Sequence, residues 1–339
     1  MILRMPSYYK KFHCIADKCK DNCCIGWEID IDPETAELYR KTEGDFGERL
    51  RKNIGGTDVK SFILGEQERC PFLNEKNLCD IILNMGENAL CDICREHPRY
   101  YEWYGDIKEG GIGLCCEEAA SIILGERETF SFFEEVISEE ADYSVDEELF
   151  GLLSEAREKI FGRLYCNTEP FGARLHDIVA FAARLQNNLD NGEMLLPEMT
   201  VSEAYEQIAV KPIMELIGQL EPIDEGWTEY YNEMAEISDK LTVNELPAEV
   251  IGYLRNIAVY FIWRYFLKGV FDGEIYSRVM LAVMSTAIIG RFYLCEVSEG
   301  SILTLGLCAD RAKLFSKELE YSEDNIERLL DAAYELFPL

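Results

Sequence analysis

Cysteine placement constrains this chain more than any other feature. Ten of its 13 cysteines, namely Cys14, Cys19, Cys23, Cys24, Cys70, Cys79, Cys91, Cys94, Cys115 and Cys116, precede residue 117 of 339, where even spreading would leave about four or five. Secreted disulfide scaffolds also cluster cysteines, but they are short, whereas more than 200 residues follow here with only Cys166, Cys295 and Cys308. Met1 to His13 offers Arg4, Lys10 and Lys11 without a continuous apolar stretch or a small-residue cleavage site behind them. No secretion signal is read there, and a cytoplasmic location is expected. Thiols that stay reduced and are concentrated in this way are expected to ligate metal, because thiolate is a soft donor suited to zinc or to iron–sulfur iron.

Spacing bears on the metal. Zinc ribbons present two separated C-x-x-C pairs, but only Cys91 and Cys94 form one here, and the rest read C-x4-C-x3-C-C and C-x8-C. Iron–sulfur is therefore expected ahead of zinc, with four thiolates per cluster, so that eight ligands would serve two clusters or one cluster and a zinc. The competing reading makes a free cysteine a small buried hydrophobe. It is the default for Cys166, Cys295 and Cys308 and balances evenly against ligation for Cys91 and Cys115. Within the adjacent pairs Cys23-Cys24 and Cys115-Cys116, both sulfurs need not reach one metal. His13 and His97 adjoin cysteines, yet enough thiolates are present without them, and His176 reads as an ordinary helix residue. Arg95 and Arg99 could offset cluster charge, hold an anion or form surface ion pairs.

Along the chain, residues 27–32 alternate apolar with acidic side chains as a half-buried strand does. Asp32 is placed to cap a helix with Pro33 at its first position, running to about Glu43, and Gly55-Gly56 reads as a loop. Tyr100 to Tyr104 favours a strand, with turn chemistry at Gly105-Asp106 and Gly110-Gly111 and a return from Ile112 to Cys115. Beyond Glu117 the pattern is helical, as in Ile302, Leu305, Ala309, Ala312, Phe315 and Leu319, then Ile326, Leu330 and Ala333. Pro170, Pro197, Pro222 and Pro247 separate candidate helices, and the apolar Leu246 to Phe266 should lie centrally. The expected fold is mainly α: a small cysteine-rich metal-binding N-terminal region with a short β-hairpin, residues 1–124, then an all-α helical bundle, residues 125–339.

Formal charge of −31, from 64 acidic against 33 basic side chains, repels phosphate backbones, so nucleic acid is set aside as a partner. Val279 to Gly290, the most apolar stretch, has the length of a buried helix and falls short of a membrane span. Gly110, Gly111 and Gly113 lack the βαβ context of a dinucleotide loop, and no G-x-S-x-G elbow, P-loop or H-E-x-x-H is present.

Several motifs together resemble a family. Tyr8-Tyr9 with Phe12-x-Cys14, Cys19-x3-Cys23-Cys24-x-Gly26-Trp27, Ile29-x-Ile31-Asp32, Cys70-Pro71-Phe72-Leu73, Cys79, Cys94-Arg95-x2-Pro98-Arg99 and Cys116-Glu117-Glu118-Ala119-Ala120 are similar to the amino-terminal signature of bacterial flagellin lysine-N-methylases. They also resemble the broader zinc- or iron-chelating cysteine-cluster domains. The motifs cover roughly residues 6 to 124 and are specific as a set. Where the family often reads Cys-Pro, this chain has Cys116-Glu117.

The resemblance implies transfer of methyl groups from S-adenosylmethionine to lysine side chains of flagellin, by a protein carrying a cysteine-bound iron–sulfur centre, of 4Fe-4S type with zinc as the alternative. The implied ligands are Cys14, Cys19, Cys23, Cys24, Cys70, Cys79, Cys94 and Cys116, with Cys91 and Cys115 as extras of this sequence. No Rossmann loop is present, so neither the S-adenosylmethionine pocket nor a catalytic base is assigned. The radical signature C-x3-C-x2-C is missing, because Cys24 follows Cys23 at once. From other classes, an iron–sulfur electron carrier and a zinc-stabilised binding module fit the same cysteines.

Overall fold

The computed structural model of the chain describes every residue except Trp27, Asp142, Tyr143, Asp224, residues 242–244 and Leu339, and only the backbone of Glu225. Its strands are β1 (Ile2–Pro6), β2 (Asp30–Ile31), β3 (Ile54–Gly55), β4 (Lys60–Phe62), β5 (Arg99–Tyr104), β6 (Ile107–Ile112) and β7 (Phe132–Val136). The helices of its first third are α1 (Pro33–Lys41), α2 (Gly44–Lys52), α3 (Asp80–Met85), α4 (Asp92–Glu96) and α5 (Glu117–Gly125). Then follow α6 (Glu147–Leu164), α7 (Phe171–Asp190), α8 (Val210–Ile217), α9 (Glu225–Asp239) and α10 (Ala248–Tyr265). The chain closes with α11 (Gly269–Asp272), α12 (Tyr276–Ser298), α13 (Leu305–Glu320) and α14 (Glu323–Leu336). The protein is mainly α.

The chain divides into two compact units. The larger contains residues 1–12, 101–115 and 119–339, and the smaller contains residues 13–100 and 116–118. The amino-terminal strand, β6 and β5 from Tyr101 onward fall in the larger unit with the helices.

In the larger unit a four-stranded sheet has the order β5-β6-β1-β7. β1 runs parallel to β6, with Ile2 opposite Ile107, and antiparallel to β7, with Ile2 opposite Val136. The expected hairpin exists, but with one turn. Gly105, at φ +59°, and Asp106 make the reversal, while Gly110 and Gly111 lie inside β6. They are buried there, and the Gly110 carbonyl accepts the indole N–H of Trp263 from α10 at 3.0 Å. Glycine suits a strand approached this closely by a large ring.

The helices assemble around α12, 23 residues long and buried along most of its length. By length and apolarity it would reach across a bilayer, being longer than Val279 to Gly290 suggested, but 83% of its most apolar window is buried within the protein. Central burial of α10 is as expected from its sequence. Pro170 and Pro247 stand at the N-caps of α7 and α10. In α13, Ala309, Ala312, Phe315 and Leu319 are buried, whereas Ile302 lies before the Thr304 cap and is exposed, outside the helical stripe that its spacing suggested.

Sheet and bundle are joined by a buried ion pair. Both Glu109 oxygens accept from Arg157 of α6, at 2.6 and 2.7 Å, and the guanidinium lies 4.3 Å from the centre of the Trp263 ring. A bidentate pair satisfies both charges at once, and removing Arg157 would leave the buried Glu109 only Arg4, at 3.7 Å. Arg157→Ala is expected to cost about 3–5 kcal/mol by urea denaturation. A loss below about 1 kcal/mol, the size of an exposed pair, would show that the pair is solvated.

Candidate metal centre

Nine of the cysteines fall in the smaller unit: Cys14, Cys19, Cys23, Cys24, Cys70, Cys79, Cys91, Cys94 and Cys116. Its core is built from Ile29, Ile31, Tyr39, Leu50, Phe62, Phe72 and Ile81. Into that core are packed Cys70 and Cys91, fully buried, and Cys24, Cys79 and Cys94, partly buried.

Local structure explains the convergence. Residues 72–80 form a tight loop: Leu73 bridges Cys79, the Phe72 carbonyl accepts from Asp80 N at 2.8 Å, and the Asn74 side chain accepts from the backbone of Lys76 and Leu78. Asn77 turns the chain at φ +56°, a conformation that asparagine tolerates. The eight residues between Cys70 and Cys79 thus double back and return the second thiol to the first. Cys24 joins because its carbonyl accepts from Cys70 N at 2.9 Å. Cys91 and Cys94 stand at the start and one turn into α4, a spacing that puts both on one face.

Asp32 holds this arrangement at two points. It caps α1 as expected, accepting from Thr35 N at 2.8 Å, and its second oxygen accepts from Asp92 N at 3.0 Å, directly after Cys91. The half-buried strand expected over residues 27–32 is reduced to β2, which pairs with β4; of the expected Gly55-Gly56 loop, Gly55 ends β3 opposite Ser61 and Gly56, at φ +84°, opens the turn to β4. Trp27 lies outside the described residues.

Among the described residues all 13 cysteines are free thiols. A hydrogen bond between the two thiols lowers Cys91 and raises Cys94. Burial pushes Cys70 up to about 11, with Cys79 and Cys91 adding to the rise. Burial likewise raises Cys79. A second gathering comprises Cys19, Cys23 and Cys116. Burial, followed by the charges of Glu117, Cys116 and Cys23, takes Cys19 to about 12. Cys23 is raised first by its hydrogen bond to Cys24.

Cys14 is exposed, and Cys115 belongs to the larger unit, where it is buried. Cys91, outside the eight implied ligands, stands with Cys94, Cys70 and Cys79. His13 is exposed and His97 half-buried. Arg95 pairs with Asp92 and with Glu96 at 3.5 Å, which is the surface ion-pair arrangement.

The donor set matches a thiophilic ion or cluster in kind and number. In their present arrangement, however, no three His, Cys, Asp or Glu side chains among the described residues form a group able to hold a metal ion. A bound cation would favour the ionisation of thiols that burial has pushed up.

Comparison with known proteins follows from the other unit. The FliB lysine N-methylase C-terminal domain matches residues 143–337, more than half of the chain. The chain belongs to this family. A lysine-N-methylase of Salmonella typhimurium is 30% identical over 142 residues, covering 39% of this chain and 35% of that protein. The lysine-N-methylase of Salmonella choleraesuis matches to the same extent. The flagellar biosynthetic protein FliU of Salmonella muenchen is 31% identical over 144 residues, covering 37% of this chain and 83% of its own length. The matched stretch spans about a third of the curated lysine-N-methylases. No solved structure matches the chain. In this FliB-family chain the domain match lies outside residues 13–118, where the thiols gather, so the family assignment does not depend on them.

Asp32 gives the thiol unit an acid-sensitive clamp. Burial alone would raise its carboxyl, but the N–H groups of Thr35 and Asp92 outweigh burial and hold it below the ordinary value of 3.8. A depressed carboxylate contributes stability that is present above the unfolded value and lost as pH falls through the folded one. Asp32→Ala is expected to destabilise the unit by about 1–2 kcal/mol near pH 7, from the lost cap alone. The deficit should shrink below pH 3.8, as measured by denaturation at a series of pH values. A deficit that does not change with pH would exclude the charged clamp.

Proposed function

We propose that the protein transfers methyl groups from S-adenosylmethionine to lysine side chains of flagellin in the cytoplasm, and that its thiol unit holds an iron–sulfur cluster of 4Fe-4S type. The family match over residues 143–337 carries this reading. The names of the relatives support the substrate class, since they are lysine-N-methylases and a flagellar biosynthetic protein. A formal charge of −31 supports it electrostatically, because it attracts segments that carry lysine.

In methyl transfer by displacement the lysine nitrogen, as the neutral amine, attacks the sulfonium methyl. The new N–C bond forms as the S–C bond breaks, sulfur keeps the electron pair as a thioether, and the nitrogen then releases a proton to base or water. The protein's main contribution to such a step is alignment, together with removal of the ammonium proton.

When bound, a cluster would supply cross-linking of the small unit and a redox-active centre. Cys24, Cys70, Cys79 and Cys94 are the gathered members of the eight-cysteine set, with Cys19, Cys23 and Cys116 as the second gathering. Cys91 is positioned to serve beside Cys94.

The deciding assay combines anaerobically purified protein, S-adenosylmethionine labelled on the methyl group, and flagellin. Label is expected on lysine-containing flagellin peptides; its absence with iron-loaded protein would refute the activity. The cluster is tested separately by iron, sulfide and zinc analysis of Cys70→Ser and Cys94→Ser. Each is expected to hold less than half the iron and sulfide of the parent, while Cys308→Ser, in α13, holds the full amount. Zinc in place of iron and sulfide would favour a zinc-stabilised unit and reject the cluster.

A further inference from the structure

Where α6 ends and α7 begins, this strongly acidic chain gathers three arginines. Two of them, Arg174 and Arg255, have no carboxylate at ion-pair distance among the described residues, although the charge of Glu169 reaches Arg174. Arg163 is neutralised twice, by Asp177 at 2.6 Å and Glu169 at 2.8 Å. Arg174 is 4% exposed and meets no carboxylate among the described residues. Its Nη1 donates to the Leu164 carbonyl at 2.5 Å and reaches Asn167 Oδ1 at 3.4 Å, while its Nε is buried with no partner at all. Arg255, half-buried on α10, donates to Asn256 Oδ1 at 3.0 and 3.2 Å and lies 4.4 Å from the centre of the Tyr165 ring, again with no carboxylate among the described residues. Burial, then the charges of Arg255 and Arg163, hold Arg174 below the usual guanidinium range. Glu126, whose charge also reaches Tyr165, is held by Lys11 at 2.5 Å.

The start of α7 adds a second observation. Its N-cap is Pro170, which offers no side-chain cap, and its first turn carries no acidic residue. The first N–H groups of a helix have no partner within it, and together with the helix dipole they favour an anion. The N–H groups of Phe171, Gly172 and Ala173 find no acceptor among the described residues, and the first bond in the helix runs from Arg174 N to Pro170 O. Helical side chains lean toward the N-terminus. Arg174 does so, its guanidinium carbon lying 5.1 Å from the centre of the ring of Phe171, the first residue of the helix. A purely structural role for Arg174, capping the last carbonyl of α6, accounts for Nη1 and leaves the orphaned Nε unexplained.

We infer that the N-terminus of α7, with Arg174 and Arg255, is a binding site for an oxyanion, a carboxylate or phosphate group carried by a small ligand. The site lies wholly within the helical unit. Its two probes are inorganic phosphate and S-adenosylhomocysteine, which bears a carboxylate. Only the second arm rests on the methyl-transfer reading, so a phosphate response without methylation of flagellin rejects that activity and keeps the site.

The test measures the thermal midpoint of the full chain against each probe at constant ionic strength, with sodium chloride as the control. At least one probe is expected to raise the midpoint saturably. Response to phosphate alone assigns a phosphate-bearing ligand, and response to S-adenosylhomocysteine that phosphate competes away assigns a carboxylate. Arg255→Gln is expected to lose the response while leaving the Arg174 contact to α6 intact. Pro170→Asp installs a carboxylate cap in place of the anion, so it should raise the midpoint without ligand and also lose the response. No response beyond chloride, or a response kept by either variant, overturns the proposal.

Discussion

A helix that is apolar on nearly every face is stable in water only when other elements surround it, and α12 imposes that condition on the larger unit. From Tyr276 to Glu296 most of its residues are buried, including Ser285, whose hydroxyl has no partner among the described residues, and Thr286. Thr286 returns its hydroxyl to the Ala282 carbonyl at 2.7 Å. Packing around it comes from α7, α8, α9, α10, α13 and α14. Even its open first turn is met from another helix, because the Gln186 side-chain oxygen accepts from Ile275 N at 2.7 Å and Tyr276 N at 3.1 Å. The bundle therefore follows from a single segment that cannot be left uncovered.

The polar interior of that bundle shows how buried charge is accommodated. Glu320, its side chain almost fully buried, accepts from the hydroxyls of Tyr260, Tyr265 and Ser316 and pairs with Arg264 at 3.0 Å. Tyr260 in turn accepts from Leu114 N, which ties the strand end to α10 and α13. A carboxylate with this many donors is satisfied and rigid. The arginines at the start of α7 are the contrary case, since their donors exceed the acceptors that the protein supplies. The smaller unit differs again: its core admits five thiols among the aromatic and aliphatic side chains, groups that tolerate burial while neutral and become strong ligands once ionised.

Features written in local sequence were legible. The Asp32 cap needs only an acid before a proline at the first helical position, and the centrality of α10 and α12 follows from runs of apolar residues that no amphipathic surface helix would carry. Crowding of cysteines likewise pointed to the smaller unit. What escaped is non-local. β1 gives no sign that it will lie between β6 and β7, because its partners are roughly 105 and 130 residues away and pairing is set by the sheet as a whole. Gly110 and Gly111 read as a turn because glycine usually marks one, yet tertiary packing against Trp263 placed them in a strand. The gathering of Cys91 with Cys70 depends on Asp32 reaching Asp92, a contact that no spacing rule contains. The arginines of α6, α7 and α10 carried no signal either, since their shortage of partners exists only in three dimensions.

Family membership and thiol chemistry consequently rest on separate observations. The matched domain occupies residues 143–337 in the helical unit, whereas the gathered thiols occupy residues 13–118 in the smaller one. Displacement of a methyl group by an amine needs alignment and a proton acceptor, and it needs no metal. Nothing in a displacement requires soft ligands, so on that route the thiol unit would serve its own fold. Its size makes that role concrete. A unit of fewer than a hundred residues buries a smaller share of its apolar surface than a large domain does, and small folds are commonly completed by a metal or a disulfide.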